Sequence, residues 1–212
     1  MNKKQELINY WRKNYNFTDE ELEAFNKIPR EDFVNQKLRD LAYEDSPLPS
    51  LRGKTVSQPT TVMIMTHALN VEKGDKILEI GTGSGYQASI LSLLAGENGK
   101  VTSMEVIPEL VFYARENIKK LGISNVIILE DDGSKGVFGE VFDKIIITAA
   151  CKEFPDNLIE QLKVGGVIVG PIGDVNLQSM TIGMKDEFGN LHFIDLGSFL
   201  FSPLYGKYGF EV

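Results

Sequence analysis

Thiols and imidazoles are nearly absent from this sequence. Of 212 residues, one is a cysteine, Cys151, and two are histidines, His67 and His192. No intrachain disulfide can form, and no thiol cluster is available to hold zinc or another metal. No apolar run approaches the ~18 residues of a membrane span. The first residues, Met1-Asn2-Lys3-Lys4-Gln5-Glu6, lead into an amphipathic segment rather than an apolar signal region. Basic residues are in deficit: 22 Lys and Arg against 30 Asp and Glu leave a formal net charge of −8. That balance argues against a broad basic footprint for nucleic acid. The expected setting is the cytoplasm, with neither nucleic acid nor membrane as a partner and no metal. The scarce side chains are also poorly placed for chemistry. His67 falls ten residues after Ser57 in one predicted helix, roughly 15 Å along its axis. His192 is expected on the solvent side of a late strand. Cys151 is expected at a strand end near a cleft, with only Lys152 beside it to lower its pKa. None of the three is expected to act as acid, base or nucleophile.

What is present is an ordinary globular balance, 42% hydrophobic and 25% charged. The length suits one domain with elaborations. Its centre is Lys76-Ile77-Leu78-Glu79-Ile80-Gly81-Thr82-Gly83-Ser84-Gly85-Tyr86. Ile77, Leu78 and Ile80 read as a buried strand. Three alternate glycines allow a tight turn and close approach of a ligand. Ala88, Ile90, Leu91, Leu93 and Leu94 then form the apolar face of a helix. Strand, glycine turn and helix open a nucleotide-type α/β fold. Tyr86 stands where a dinucleotide fingerprint has its third glycine. Glu79, ending the strand, would repel a pyrophosphate but suits S-adenosylmethionine, which is cationic and carries no phosphate. Glu105 lies about twenty residues after Gly85, the spacing of an acid that takes ribose hydroxyls. The plainer alternative is a glycine turn that packs a helix on a sheet, with Glu79 and Glu105 as ordinary strand-end acids.

Residues 1–54 read as a helical elaboration. Leu7, Ile8 and Trp11 share one helix face. Thr18 and Glu21 form a capping box that opens a second helix through Leu22 and Phe25, which Pro29 ends. Phe33, Leu38 and Leu41 predict a third, short helix, and Asp45 to Ser50 a loop. Residues 55–175 read as the cofactor-binding core. Pro59 starts a helix through Leu69, with Ser57 as a candidate cap. Strands are predicted at Val101–Glu105, Val126–Leu129 and Phe142–Thr148, the last apolar enough to be central. Glu130, Asp131 and Asp132 follow the third strand, either as ligand contacts or as turn formers. Pro155 starts a helix holding Leu158, Ile159 and Leu162, and Gly165-Gly166 turns into the strand Val167–Val169. Residues 176–212 read as an antiparallel hairpin and an apolar tail, Ser198 to Gly206, folded back on the body.

Several stretches are similar to one family. They include Ile28-Pro29-Arg30-Glu31-Asp32-Phe33, Ala42 to Pro49, Thr55-Val56-Ser57-Gln58-Pro59, the glycine loop, Asp132-Gly133, Thr148-Ala149-Ala150, Leu158 to Gly166, and Pro203-Leu204-Tyr205-Gly206. Over nearly its whole length the chain resembles the protein-L-isoaspartate (D-aspartate) O-methyltransferases, particularly the archaeal and bacterial forms. The Val56-Ser57-Gln58-Pro59 stretch is more specific than the glycine loop. The resemblance implies a doubly wound, Rossmann-like methyltransferase fold with S-adenosylmethionine as cofactor and isoaspartyl-containing proteins as substrates. It implies an active-site role for Ser57. It implies cofactor contacts at Glu79, Ile80, Gly81, Thr82, Gly83, Ser84 and Glu105, with Asp132 and Gly133 near the adenine. Val56 and Gln58 join that set, and the backbone around Ser57 with Pro203 and Leu204 forms the substrate cleft. Asp131, Cys151-Lys152 and Thr60 depart from the family pattern at positions that bear on peptide preference. A monomer is expected. The competing readings are a methyltransferase of the same fold acting on a small molecule or another carboxylate, and a non-catalytic module that keeps the cofactor fold.

Overall fold

The computed structural model describes residues 3–210. Met1, Asn2, Glu211 and Val212 lie outside the described residues, and with them the start of the signal-free reading and both ends of the predicted 1–212 span. Helices α1 (Lys3–Asn14) and α2 (Asp19–Lys27) come first. Leu7, Ile8 and Trp11 are buried along α1, and the Thr18–Glu21 capping box opens α2 with both reciprocal bonds formed. The predicted third helix is instead two 3-10 segments, Arg30–Asp32 and Gln36–Leu41. Phe33, wholly buried, anchors the chain between them, while Leu41 is exposed. The apolar residues therefore never form a helical stripe long enough to bury. The predicted loop contains a short strand, β1 (Leu48–Pro49), paired antiparallel with β2 (Thr55–Val56).

Helix α3 (Pro59–Leu69) begins with proline at its first position, and its cap residue is Gln58. Ser57 precedes the cap. The helix's second amide, Thr60 N–H, donates instead to Asp45 Oδ1 at 2.9 Å. Thr60 Oγ1 donates to Asp45 Oδ2 at 2.7 Å and accepts from Trp11 Nε1 at 2.8 Å. This junction, buried at Trp11 and Thr60 and exposed at Asp45, ties α1 and the β1 approach to the start of α3. Trp11, Phe25 and Phe33 share a core cluster with Met63, Tyr86 and Ile90, so the N-terminal helices pack on the body.

The remaining elements are β3 (Lys76–Ile80), α4 (Tyr86–Ala95), β4 (Lys100–Glu105), α5 (Pro108–Lys120), β5 (Val126–Glu130), β6 (Phe142–Ile147), α6 (Asp156–Gln161), β7 (Leu162–Gly173), β8 (Gln178–Lys185) and β9 (Leu191–Phe199). They build a seven-stranded sheet in the order β5-β4-β3-β6-β7-β8-β9. From β5 to β7 the pairs are parallel, and β8 and β9 add two antiparallel pairings. The apolar β6 occupies the middle of the order, as its sequence predicts. Leu162, predicted helical, is buried and pairs with Phe142 at the start of a 12-residue β7. The Gly165-Gly166 pair falls inside that strand, beside a register shift between Phe142 and Lys144, and does not turn into a new one. After β3 the chain winds outward through β4 and β5, then returns to β6 on the other side of β3. That reversal opens a crevice at the carboxyl ends of β3, β4 and β6, where open α/β sheets bind ligands. Among the described residues no helix is long and apolar enough to cross a membrane.

The tail closes over the crevice. Leu204 N–H donates to Ala150 O at 2.7 Å, and Pro203 bridges Ala150. Asp132 Oδ2 accepts from Lys207 N–H at 2.8 Å. A Cβ on Gly206 (φ +137°) would collide with the Asp132 carboxylate, so this close approach requires glycine.

Candidate active site

The crevice is a cavity of about 900 Å³. One wall is the glycine loop: Ile80, Gly81, Thr82, Gly83 and Ser84 all face it, with Gly133 beyond the end of β5. A second stretch of wall combines Val56, Ser57 and Gln58 with Pro203 and Leu204. The structure thus brings twelve residues together (those eleven and Glu105) that lie far apart in sequence. Gly81 adopts φ +98°, and a Cβ there would sit 2.5 Å from Thr148 Oγ1. The turn keeps its shape because Thr148 Oγ1 donates to Gly81 O at 2.5 Å and Ile80 O at 3.0 Å.

Glu105 ends β4 one residue past Met104, which lies opposite the last residue of β3. Its carboxylate consequently reaches the crevice. Oε1 accepts from Val106 N–H at 3.0 Å and Ile107 N–H at 3.1 Å, and Oε2 accepts from Gly83 N–H at 3.0 Å. Those bonds fix its position, fill Oε1 and leave acceptor capacity on Oε2. Met104, Ile107 and Leu110 add an apolar patch beside it. A carboxylate with a free acceptor site, a glycine-rich turn and an apolar slot together fit S-adenosylmethionine.

Two predicted contact residues stand elsewhere. Glu79 is fully enclosed and does not line the cavity. It lies opposite Ser103 in the β3–β4 register. Ser103 Oγ donates to Glu79 Oε2 and is 2.6 Å from Thr82 Oγ1, which does reach the cavity. Burial pushes the Glu79 carboxyl up to about 8, against the Ser103 bond that lowers it, and Glu105 adds to the rise. Asp132 also stays off the wall. Its carboxylate is taken by Ser134 N–H at 3.0 Å, Ser134 O–H at 2.6 Å and the tail amide of Lys207. The carboxylate is thus held by the local turn and the returning tail and does not line the cavity.

Ser57 is partly exposed in the cavity and caps nothing, since the cap position belongs to Gln58. Cys151, expected near the cleft, lies in the core below it, and burial pushes its thiol up to about 12. His67 pairs with Glu21 at 3.0 Å and His192 with Asp186 at 2.7 Å, both away from the cavity. Among the described residues no group of three or more His, Cys, Asp or Glu side chains is placed to hold a metal ion.

Sequence reasoning missed several wall residues. Ile107 and Leu110 follow a strand-end acid at the opening of a helix, and that position was their available signal. Tyr86 had its place at the end of the glycine loop as a signal, whereas Tyr15 and Lys54 had none, because helix packing and the β1–β2 turn bring them in. Lys54 and Glu105 are the two charged side chains among the lining residues.

The sequence profile of the family described as protein-L-isoaspartate(D-aspartate) O-methyltransferase matches residues 2–209. A protein-L-isoaspartate O-methyltransferase of Archaeoglobus fulgidus is 44% identical over 210 residues, covering 99% of this chain and 95% of the relative. One from Ignicoccus hospitalis is 49% identical over 172 residues, covering 80% and 82% respectively. A solved protein-L-isoaspartate O-methyltransferase superposes with a TM-score of 0.86 at 30% identity, covering 97% of this chain and 67% of that one. At 23% identity, a Plasmodium falciparum structure holding S-adenosyl-L-homocysteine shares the fold, with a TM-score of 0.84 over 97% of this chain and 99% of that one. With the glycine turn, Glu105 and the Ser57 segment gathered on one cavity, these matches show that the chain belongs to the protein-L-isoaspartate(D-aspartate) O-methyltransferase family.

Proposed function

We propose that Ser57, with the backbone from Val56 to Gln58 and the tail at Pro203-Leu204, holds the substrate carboxylate, while the glycine loop, Glu105 and Gly133 hold the cofactor. A member of this family transfers a methyl group from S-adenosylmethionine to the free α-carboxylate of L-isoaspartyl residues in damaged proteins. When bound, the cofactor supplies an electrophilic methyl group. The protein's task is placement. A carboxyl group with a reference pKa below ~4 is ionised near neutral pH, so no residue need remove a proton. Holding the oxygen in line with the methyl can supply about 7–11 kcal/mol of the barrier. Ser57 suits this work because its hydroxyl is not spent on a helix cap. Glu79 acts through Ser103 on Thr82, and so shapes the loop from behind. The neighbouring backbone amide nitrogen then attacks the ester carbonyl, the C–OCH3 bond breaks, methanol leaves with the amide proton, and a succinimide closes without help. We take the protein to act as a monomer in the cytoplasm, as one methyltransferase unit spanning residues 1–212.

The observation that carries this reading is the single cavity shared by the glycine loop and the Ser57 segment. The test is methyl transfer from labelled cofactor to two peptides that differ only in an isoaspartyl or an aspartyl residue. Labelling of the isoaspartyl peptide alone is expected. Equal labelling, or transfer to small carboxylates only, would reject the assigned substrate wall.

A further inference from the structure

We infer that Lys54 is a specificity residue that reads the negative charge of the carboxylate to be methylated. The inference rests on the substrate wall assigned above. Lys54 begins the segment that runs through β2 to Ser57, and its side chain lines the same cavity. It is the one cation among the lining residues. Its ammonium rests over the Tyr205 ring, 4.3 Å from the centroid. Tyr205 follows Pro203 and Leu204 on the tail, so the contact joins the two segments of the substrate wall. No carboxylate of the described residues pairs with Lys54, although the chain carries eight more acidic than basic charges. An aromatic face holds an ammonium without neutralising it. Its charge therefore remains available to an incoming anion.

The two lining charges are divided between the walls. Glu105 lies at the end of β4, where a cationic cofactor is held. Lys54 lies with Ser57 and Tyr205, where an anionic acceptor must come. An acidic protein repels an anionic peptide at long range, and a single cation at the site offsets this locally. The reaction then removes what Lys54 recognises. A carboxylate oxygen forms the new C–O bond, the S–C bond breaks with its electron pair left on sulfur, and the acceptor becomes a neutral ester. Attraction present for the substrate is absent for the product, so the same residue favours binding before transfer and release after it.

The test compares wild type with Lys54→Met, close in shape and uncharged, and Lys54→Arg, which keeps the charge. With the enzyme saturated by S-adenosylhomocysteine, calorimetry measures the affinity of an isoaspartyl peptide and of the same peptide carrying the neutral α-amide. Wild type should prefer the carboxylate. Lys54→Met should reduce that preference about tenfold, the scale of a lost hydrogen bond to a charged group, and Lys54→Arg should restore most of it. KM for the isoaspartyl peptide should rise in Lys54→Met while kcat holds, as expected when ground-state binding is lost. Affinity for S-adenosylhomocysteine should be equal in all three proteins. An unchanged carboxylate-to-amide preference in Lys54→Met overturns the inference, as does a loss confined to peptides with an additional acidic neighbour. Failure of wild type to bind or methylate any isoaspartyl peptide would instead refute the substrate wall itself.

Discussion

Glu79 and Glu105 give the same signal in the sequence, an acid at the end of a strand, and the sheet sends them to different places. Glu79 has one more residue of β3 after it and a neighbouring strand on each side, so its carboxyl is enclosed against Ser103. Glu105 lies beyond the last paired residue of β3 and opens to the crevice. Strand register decides this, and register is not written in a local motif. The enclosed carboxyl has a consequence for stability. Its folded value of about 8 stands above the ordinary 4.5. Between those values the folded chain keeps a proton that the unfolded chain has shed. The slope of stability with pH is then negative: the contribution is greatest below the lower value and is lost as pH rises through the upper one. Glu79→Gln should flatten this, so that the fall in Tm between pH 5 and 9 is smaller than in wild type. An equally steep fall in the variant would assign the titration elsewhere. Ser57 makes the converse point. Its sequence neighbourhood allowed a cap, and the structure gives that position to Gln58. Ser57→Ala should therefore change stability by less than about 0.5 kcal/mol, as for an ordinary surface site. On our assignment its turnover on isoaspartyl peptide falls at least tenfold, through loss of alignment. Denaturant unfolding and steady-state rates on one preparation separate the two effects.

Among the elements, those defined by period and punctuation were legible. The α2 capping box, the proline start of α3, the Gly122 stop of α5 and the late hairpin all stand where the residues indicate. Partners distant in the chain were not legible. The amide of Thr60 is satisfied by Asp45, 15 residues upstream, in a loop that no helix signal marks. The 3-10 segments and the early start of β7 likewise follow from what Phe33 and Leu162 bury against. The turn at Gly133–Lys135 shows an element held by a remote strand of chain. Asp132 accepts from Ser134 at its own turn and from Lys207 on the tail. Asp132→Ala should cost about 1–3 kcal/mol, the range for leaving such donors unsatisfied. By freeing the tail it should raise KM for isoaspartyl peptide while leaving affinity for S-adenosylhomocysteine within a factor of about two. Thermal melts and titrations read both, and a dominant loss of cofactor affinity would instead place Asp132 in the cofactor's own contacts.

At the scale of the whole molecule, the alternation of strands and helices after residue 75 was enough to read the sheet and the end of it that bears the site. It did not show that the far wall is assembled from both ends of the chain. Residues 54–58 arrive where the N-terminal elaboration passes into the core and residues 198–205 on the returning tail, and the two meet at the cavity. The junction beneath that wall gives the protein an optical property. Trp11 is its only tryptophan. The indole N–H ends on Thr60 Oγ1, and Thr60 also faces the cavity. Ultraviolet emission excited at the red edge thus comes from a single indole, one hydrogen bond away from the wall that we assign to the peptide. On that assignment its wavelength and lifetime should shift when peptide occupies that wall, with no label attached, and cofactor can be titrated against a signal that is not its own.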